Sequence, residues 1–509
     1  MSYHADSGVY IKTIGHRLAH TMTTIAFDNS YTQLPDRFYS RLNPTPVEAP
    51  GPIRVNGELA KLLGIDPLWL ASAEGTQVIA GNALAQGSEP MAAVYAGHQF
   101  GSYNPQLGDG RALLLGEVIG TDGQRYDIQL KGSGPTPYSR GGDGRSPLGP
   151  VLREYVVSEA MHALGVPTTR ALAAVTTGER VAREQFLPGA VLARVAHSHI
   201  RIGTVQFFAA RDDKEALRAL VDYTLSRHYR QAQNAENPAK ALLENAIAAQ
   251  AALVTKWQLL GFIHGVMNTD NMLLSGQTID YGPCAFMDDF QVDKVFSSID
   301  QNGRYAYQNQ PAIAHWNLAN LAQSLLPLFH EDQEQAVAIA QETVDTFPAQ
   351  YTAAHRQGLA NKLGLGTFSE GDDDLVAELF RLMTDTRADF TLCFRRLADH
   401  VTDAQGVKAL YEFPETFDLW LARWRSRTEQ TPLPPQERQA TMYAANPAII
   451  PRNHLVEAAI RAAEDHNDFA PFNALVEATS EPFIYSSDLA YYATPPRPEE
   501  AVSRTFCGT

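Results

Sequence analysis

The chain has 509 residues, 41 of them Lys or Arg and 57 Asp or Glu, for a formal net charge of −16. That length exceeds one ordinary core, so two or more lobes are expected, and the acidic balance argues against a general nucleic-acid surface while leaving room for a local basic nucleotide pocket. No apolar run approaches the roughly 20 residues that span a bilayer, and the three cysteines, Cys284, Cys393 and Cys507, lack CxxC spacing, which excludes a zinc ribbon or disulfide scaffold and fits a reducing, cytoplasmic setting.

The opening MSYHADSGVYIKTIGHRLAH lacks the apolar stretch of a secretory signal and carries a weak transit-peptide likeness. Residues 26–55 are rich in Pro, Asn and Tyr and predict an extended lead-in, and residues 56–75 a short helical stretch. A Gly-rich segment, GHQFGSYNPQLGDGR, runs from Gly97 to Arg111. ALLLGEVIG and YDIQLKG then form a hairpin around Asp122-Gly123, a strong two-residue turn signal. That turn sets Lys131 opposite Leu114, puts Asp127, Gln129 and Lys131 on one face, and sends Ile128 and Leu130 into the core. PLGPVLREYVVSEAMHALGV predicts a helix with Pro150 in its first turn and Gly165 as its stop. TRALAAVTT and AVLARVA are strand-like. Helical patterns dominate from Lys214 to Gly261 and again from Asp280 to about residue 430. TPLPP, from Thr431, marks a linker or tight turn before two more helical stretches and a polar tail. Strands first and helices afterwards give an α+β chain with a cleft between its lobes.

Two stretches carry chemistry. HGVMNTDN, His264 to Asn271, has the spacing of a kinase catalytic loop, but Val266 stands where such a loop has its Asp. The following NMLLSGQTIDYG predicts a hairpin turning at Ser275-Gly276. That register places Asn271 directly opposite Asp280, close enough for two oxygens to meet one Mg²⁺ without a basic partner, and a turn at Gly276-Gln277 instead would make the pair diagonal but still within reach. Upstream, the glycines of GDGR would let backbone N–H groups approach phosphate, Lys131 closes a strand, and Glu154 on the next helix can pair with it. Taken singly, these are as well explained by a loop, a surface Lys and a solvated Glu. Their order, Gly loop, strand Lys, helix Glu, H-x₆-N loop and DYG, is that of kinase parts.

The strings GDGR, QLKGSGPTPYSRGGDGRSPLGPVLREY, GFIHGVMNTDNM and DYGPCAFMD closely resemble the selenoprotein O family, also called YdiU, from about Phe27 to the last residues. The resemblance implies a protein-kinase-like two-lobed fold. Its parts are an N-terminal extension (1–95), an N-lobe (96–200), a C-lobe (201–430) and a C-terminal extension (431–509). It implies a protein adenylyltransferase that moves AMP from ATP to Ser, Thr or Tyr hydroxyls of proteins, with ATP inverted relative to a kinase. In this likeness Gly108, Gly110, Arg111, Asp143 and Gly144 contact nucleotide, Lys131 binds phosphate with Glu154 as partner, and Arg194 and Arg201 hold the outer phosphates. Asp270 is the general base, its pKa kept low beside a metal ligand, while Asn271 and Asp280 hold Mg²⁺ or Mn²⁺. His264 supports the loop backbone. Cys507 stands third from the end, where eukaryotic relatives carry selenocysteine, which implies a redox link, with Cys284 as a conceivable partner; an inert tail thiol and a buried Cys284 is the other reading. No nucleic-acid or membrane partner is expected, and a monomer is favoured. A kinase acting on protein or small molecule, and a non-catalytic nucleotide-binding scaffold, remain the alternatives.

Overall fold

The computed structural model describes residues 25–403, 406–407 and 410–506. The expectations for the opening segment and for Cys507 lie outside those residues. The chain is a mixed α/β protein in which strands dominate before residue 196 and helices after it.

Up to residue 196 the strands, in chain order, are β1 (Tyr39–Arg41), β2 (Gly51–Val55), β3 (Met91–Ala93), β4 (Gly97–Gln99), β5 (Ser102–Asn104), β6 (Ala112–Ile119), β7 (Arg125–Lys131), β8 (Ser146–Pro147), β9 (Arg170–Ala182) and β10 (Phe186–Ala196). All but β4 and β5 form one antiparallel sheet of order β1-β3-β6-β7-β10-β9-β2, with β8 on β10; β4 and β5 make a separate hairpin. Ile128 and Leu130 of β7 are fully buried in a cluster with Leu115, Val175 and Val191. Asp127, Gln129 and Lys131 take the other face, as the alternation predicts.

The register differs from the sequence expectation. Gly120 donates to the carbonyl of Gln124 at 2.8 Å, so the β6–β7 turn is a three-residue loop with Gly123 left-handed at φ 75°. A bulge between Leu114 and Gly116 shifts the pairing again, and Lys131 faces Ala112 instead of Leu114. The face assignment survives because it depends on alternation within β7.

The predicted short helical stretch after residue 56 is three short helices, Gly57–Leu62, Pro67–Leu70 and Ala73–Ala80, N-capped by Asn56, Asp66 and Ser72. The predicted long helix spans Leu148–Ala163 and stops at Gly165, which is left-handed. Its N-cap, Pro147, has no capping side chain. Glu464, from the helix Asn453–His466, accepts from the Gly149 N–H at 3.0 Å in its place. Arg153 donates to Asn453 at 2.6 Å and pairs with Glu457 on that same helix. Leu152, Val156, Leu455, Ile460 and Phe472 fill the seam between them. TPLPP is a tight turn, fastened by buried Arg438 to the carbonyls of Thr428, Thr431 and Leu433. No helix among the described residues is long and apolar enough to cross a membrane.

In the helical part, Lys362 is buried with its ammonium 4.2 Å from the Phe394 ring centre and 5.5 Å from that of Phe390. Burial pushes it from its ordinary 10.5 down to about 7. Between those values the unfolded chain keeps a proton the folded chain has shed, so stability rises with pH across that window. Lys362→Met is expected to raise the unfolding temperature by several degrees at pH 6, where the folded lysine is charged in an apolar site. At pH 10 the gain should be much smaller. Equal gains at both pH values in thermal melts would refute this.

Candidate active site

A cavity of about 740 Å³ opens between the sheet and the helical part, a size suited to a nucleotide-class ligand. Its walls include Gly108, Gly110, Arg111, Lys131, Asp143, Gly144, Arg194, Arg201, Asp270, Asn271 and Asp280. Every residue the sequence pointed to as touching nucleotide, metal or proton therefore lines one space.

Asp280 is the centre of charge. It sits left-handed at φ 63°, which Asp tolerates better than most residues. Its Oδ1 accepts from Arg194 at 2.8 Å and Lys131 at 3.2 Å, and its Oδ2 from Arg201 at 3.0 Å. Burial raises its pKa, but the charges of Lys131, Arg194 and Arg201 outweigh that and hold the carboxyl well below the usual range. The expectation of a carboxylate without a basic partner is thus corrected: three cations converge on it. Glu154 completes the arrangement, pairing with Lys131 and accepting from Arg194 at 3.1 Å. Its carboxyl, too, is lowered against burial by Lys131 and Arg194.

Strand geometry explains the convergence. Arg194 on β10 is directly opposite Gln129 on β7, so both project from the face that carries Lys131. Gln129 Oε1 accepts from Arg194 at 2.7 Å and fixes its plane. Seven residues on, past the end of β10, Arg201 starts the helix Ile202–Ala209. Its guanidinium donates to the carbonyl of Asp270 at 2.6 Å, pairs with Asp109 at 3.6 Å and lies 4.5 Å over the Tyr95 ring. At 2–3 % exposure, neither arginine is a surface side chain.

The loop glycines serve close packing. Gly108 is left-handed at φ 105°, and a Cβ there would meet the Tyr138 ring at 2.5 Å; one at Gly110 would meet the Tyr138 carbonyl at 2.8 Å. The backbone of Gly144 packs on Gly134, and Asp143 is tied to Arg183 at 2.9 Å.

The HGVMNTDN loop is anchored from within. His264 is fully buried. Its Nε2 bonds the Ile279 carbonyl at 2.9 Å, and its Nδ1 accepts from Val266 N at 3.3 Å. Burial pushes the imidazole down, so it is neutral and structural. Val266 offers its backbone: its carbonyl accepts from Asn271 Nδ2 at 3.0 Å, which fixes the amide's orientation and makes Oδ1 its acceptor atom. The predicted register across NMLLSGQTIDYG does not hold. Met272 pairs with Thr278, so Asn271 is not directly opposite Asp280, although both line the cavity. Asp270 is 7 % exposed, and burial pushes its carboxyl up to about 6, above the low value expected beside a metal ligand. One oxygen accepts from Gln99 Nε2 at 3.2 Å; Oδ1 is buried without a hydrogen-bond partner among the described residues.

Among the described residues, no three His, Cys, Asp or Glu side chains are grouped to hold a metal ion. One carboxylate and one amide oxygen nonetheless fit Mg²⁺ or Mn²⁺ chemistry, where substrate phosphates and water supply the remaining oxygens. Cys284 is fully buried, and burial pushes its thiol up to about 12, which opposes thiolate chemistry there.

With this geometry in view, comparison with known proteins is decisive. The family described as Protein adenylyltransferase SelO matches residues 21–480. The chain belongs to the SelO family. It is 57% identical over 486 residues to Protein nucleotidyltransferase YdiU of Rhodopseudomonas palustris (strain BisB5), covering 95% of this chain and 99% of the relative. The YdiU proteins of Bradyrhizobium sp. (strain ORS 278) and of Methylorubrum extorquens are 57% and 56% identical over 485 and 492 residues, with the same coverage. This SelO-family chain is accordingly a nucleotidyltransferase, a protein adenylyltransferase. Sequence reasoning missed Gln99, Asp109 and Tyr95 in its site. Two of them lie within the quoted Gly-rich segment, but nothing local signals that it folds onto a loop some 170 residues further along the chain.

Proposed function

We propose that this adenylyltransferase has a kinase-like two-lobed fold, with lobes over 96–200 and 201–430 and extensions on either side, and works in the cytoplasm as a monomer. It binds ATP inverted and passes AMP to Ser, Thr or Tyr hydroxyls of proteins. The observation that carries the reading is the gathering of Lys131, Arg194 and Arg201 on Asp280, with Asp270 in the same cavity. Three buried cations, held in place by Asp280, Glu154 and Asp109, converge on one cavity and suit a polyanion.

Asn271 and Asp280 would hold a divalent cation, which supplies charge neutralisation at the phosphates. Lys131, Arg194 and Arg201 bind phosphate oxygens, with Glu154 and Gln129 keeping two of them aimed. Gly108, Gly110, Arg111, Asp143 and Gly144 line the rest of the nucleotide's space. Asp270 takes the acceptor hydroxyl's proton. The hydroxyl oxygen bonds to the α-phosphorus as the bond to the bridging oxygen breaks, and pyrophosphate leaves. Positioning and charge stabilisation supply most of the acceleration in such transfers. A Cys507–Cys284 redox link requires the segment after DYG to expose Cys284, which is fully buried.

ATP labelled at the α- or the γ-phosphate tests the reading. Label is expected on protein from the α position alone, on Ser, Thr or Tyr. Transfer of γ-label would replace it with a kinase, and intact binding without transfer with a scaffold.

A further inference from the structure

The β4–β5 hairpin, GHQFGSYN, lies against the HGVMNTDN loop. Three consecutive residues of the hairpin bond three consecutive residues of the loop. His98 N donates to Thr269 Oγ1 at 2.7 Å, Gln99 Nε2 to Asp270 Oδ2 at 3.2 Å, and Phe100 N to Asn268 Oδ1 at 3.0 Å. Phe100 holds this arrangement in a left-handed conformation at φ 51°, unusual for an aromatic residue. Its ring packs edge-on against Tyr305, with centres 5.1 Å apart. Backbone strain kept at this point means that the surrounding contacts fix it there.

The hairpin also makes room. A Cβ at Gly97 would stand 2.6 Å from Asp270 Oδ1 and 3.0 Å from Asp270 Cγ. Only glycine lets the carboxylate lie flat against the strand. The two oxygens of Asp270 are therefore unequal: Oδ2 is held by Gln99, and Oδ1 is buried against Gly97 with no hydrogen-bond partner among the described residues. Without the Gln99 amide, the carboxylate plane could rotate and exchange them.

We propose that Gln99 is a positioning residue that locks the Asp270 carboxylate, keeping Oδ1 packed against Gly97 so that Oδ2, beside Gln99 on the cavity wall, is the atom receiving the acceptor proton. The role rests on Asp270 being the base. In the transfer step the hydroxyl proton passes to the second lone pair of Oδ2, the hydroxyl oxygen bonds to the α-phosphorus, and pyrophosphate departs with the bridging oxygen. Gln99 keeps both its protons and holds Oδ2 throughout.

The test uses the full chain, α-labelled ATP, and casein and the chain itself as acceptors. Gln99→Met keeps the bulk and removes the donor; Gln99→Glu keeps the shape and sets a second carboxyl against Asp270. Each is expected to lower kcat by about 30-fold, as a small misplacement of a reacting group does, with ATP affinity changed by less than about twofold. Placed on Asp270→Asn, Gln99→Met should cost less than about threefold more, because a residue acting through Asp270 has nothing left to position. Full kcat in both single variants overturns the proposal. So does a loss in which ATP affinity and thermal stability fall together with kcat, or a full further loss on Asp270→Asn. If Asp270→Asn itself keeps wild-type kcat, the base assignment fails; if it is inactive while both Gln99 variants are fully active, only the positioning role falls.

Discussion

Asp280→Ala is expected to reduce AMP transfer by a thousandfold or more, about the effect of removing a principal electrostatic group from a transfer site, while tightening the binding of metal-free ATP. The two effects run in opposite directions because Asp280 has two kinds of partner. It is a proposed metal ligand, and it is also the carboxylate that pairs with Lys131, Arg194 and Arg201. A unit charge at 3–4 Å is worth on the order of 4 kcal/mol at the effective dielectric of a partly buried site. Removing it leaves the three cations with Glu154 and Asp109, one positive charge in excess. The apoprotein should lose stability, since breaking a buried pair costs about 3–5 kcal/mol. ATP titrated in EDTA should then bind about tenfold more tightly than to the wild type, or ~1.4 kcal/mol, the part of that charge interaction left after the phosphates are desolvated. Calorimetry in EDTA and a transfer assay in Mg²⁺ separate the two effects. Retained transfer would remove Asp280 from the metal; weaker metal-free binding would mean that its role is to shape the pocket.

That double role marks what the sequence could and could not reveal. The side of β7 that carries Lys131 was legible because alternation is a property of one strand. The helix Leu148–Ala163 was legible from its apolar spacing and its stop at Gly165. Registers were not, because they depend on partner strands: the bulge beside Gly116 moved Lys131 opposite Ala112, and the Met272–Thr278 pairing took Asn271 out of line with Asp280. Least legible were contacts closed by the fold across long stretches of chain. Asp280 looked unpaired because its cationic partners lie 149, 86 and 79 residues away. The helix that presents Glu154 is capped by Glu464 from 315 residues downstream. The C-terminal tail likewise lies beside the segment after DYG, where Thr505 donates to the Pro283 carbonyl at 2.6 Å and its backbone bonds Phe296 and Ser298. Val266, the apparent defect in the loop, also needed coordinates, since its contribution is a carbonyl.

Asp270→Asn carries the other large expected effect, and it separates catalysis from architecture. A buried polar atom without a partner costs about 1–3 kcal/mol, and Asp270 Oδ1 is one. Burial acts on this carboxyl strongly enough to push it up to about 6. A fold selected for stability alone would not keep an unsatisfied carboxylate there; a site that must accept a proton would. The amide has the same shape, still offers an oxygen to Gln99, and bears no charge to desolvate. The variant is therefore expected to unfold at the wild-type temperature or a few degrees above it. It should bind ATP with affinity within about threefold of the wild type, because the cations proposed to bind phosphate gather on Asp280, and lose about 10²–10⁴-fold in kcat, the usual range for a general base. Thermal melts, ATP titration and α-label transfer on the same preparation decide it. A loss of stability together with activity would make Asp270 a structural residue, and unchanged kcat would return the proton to solvent.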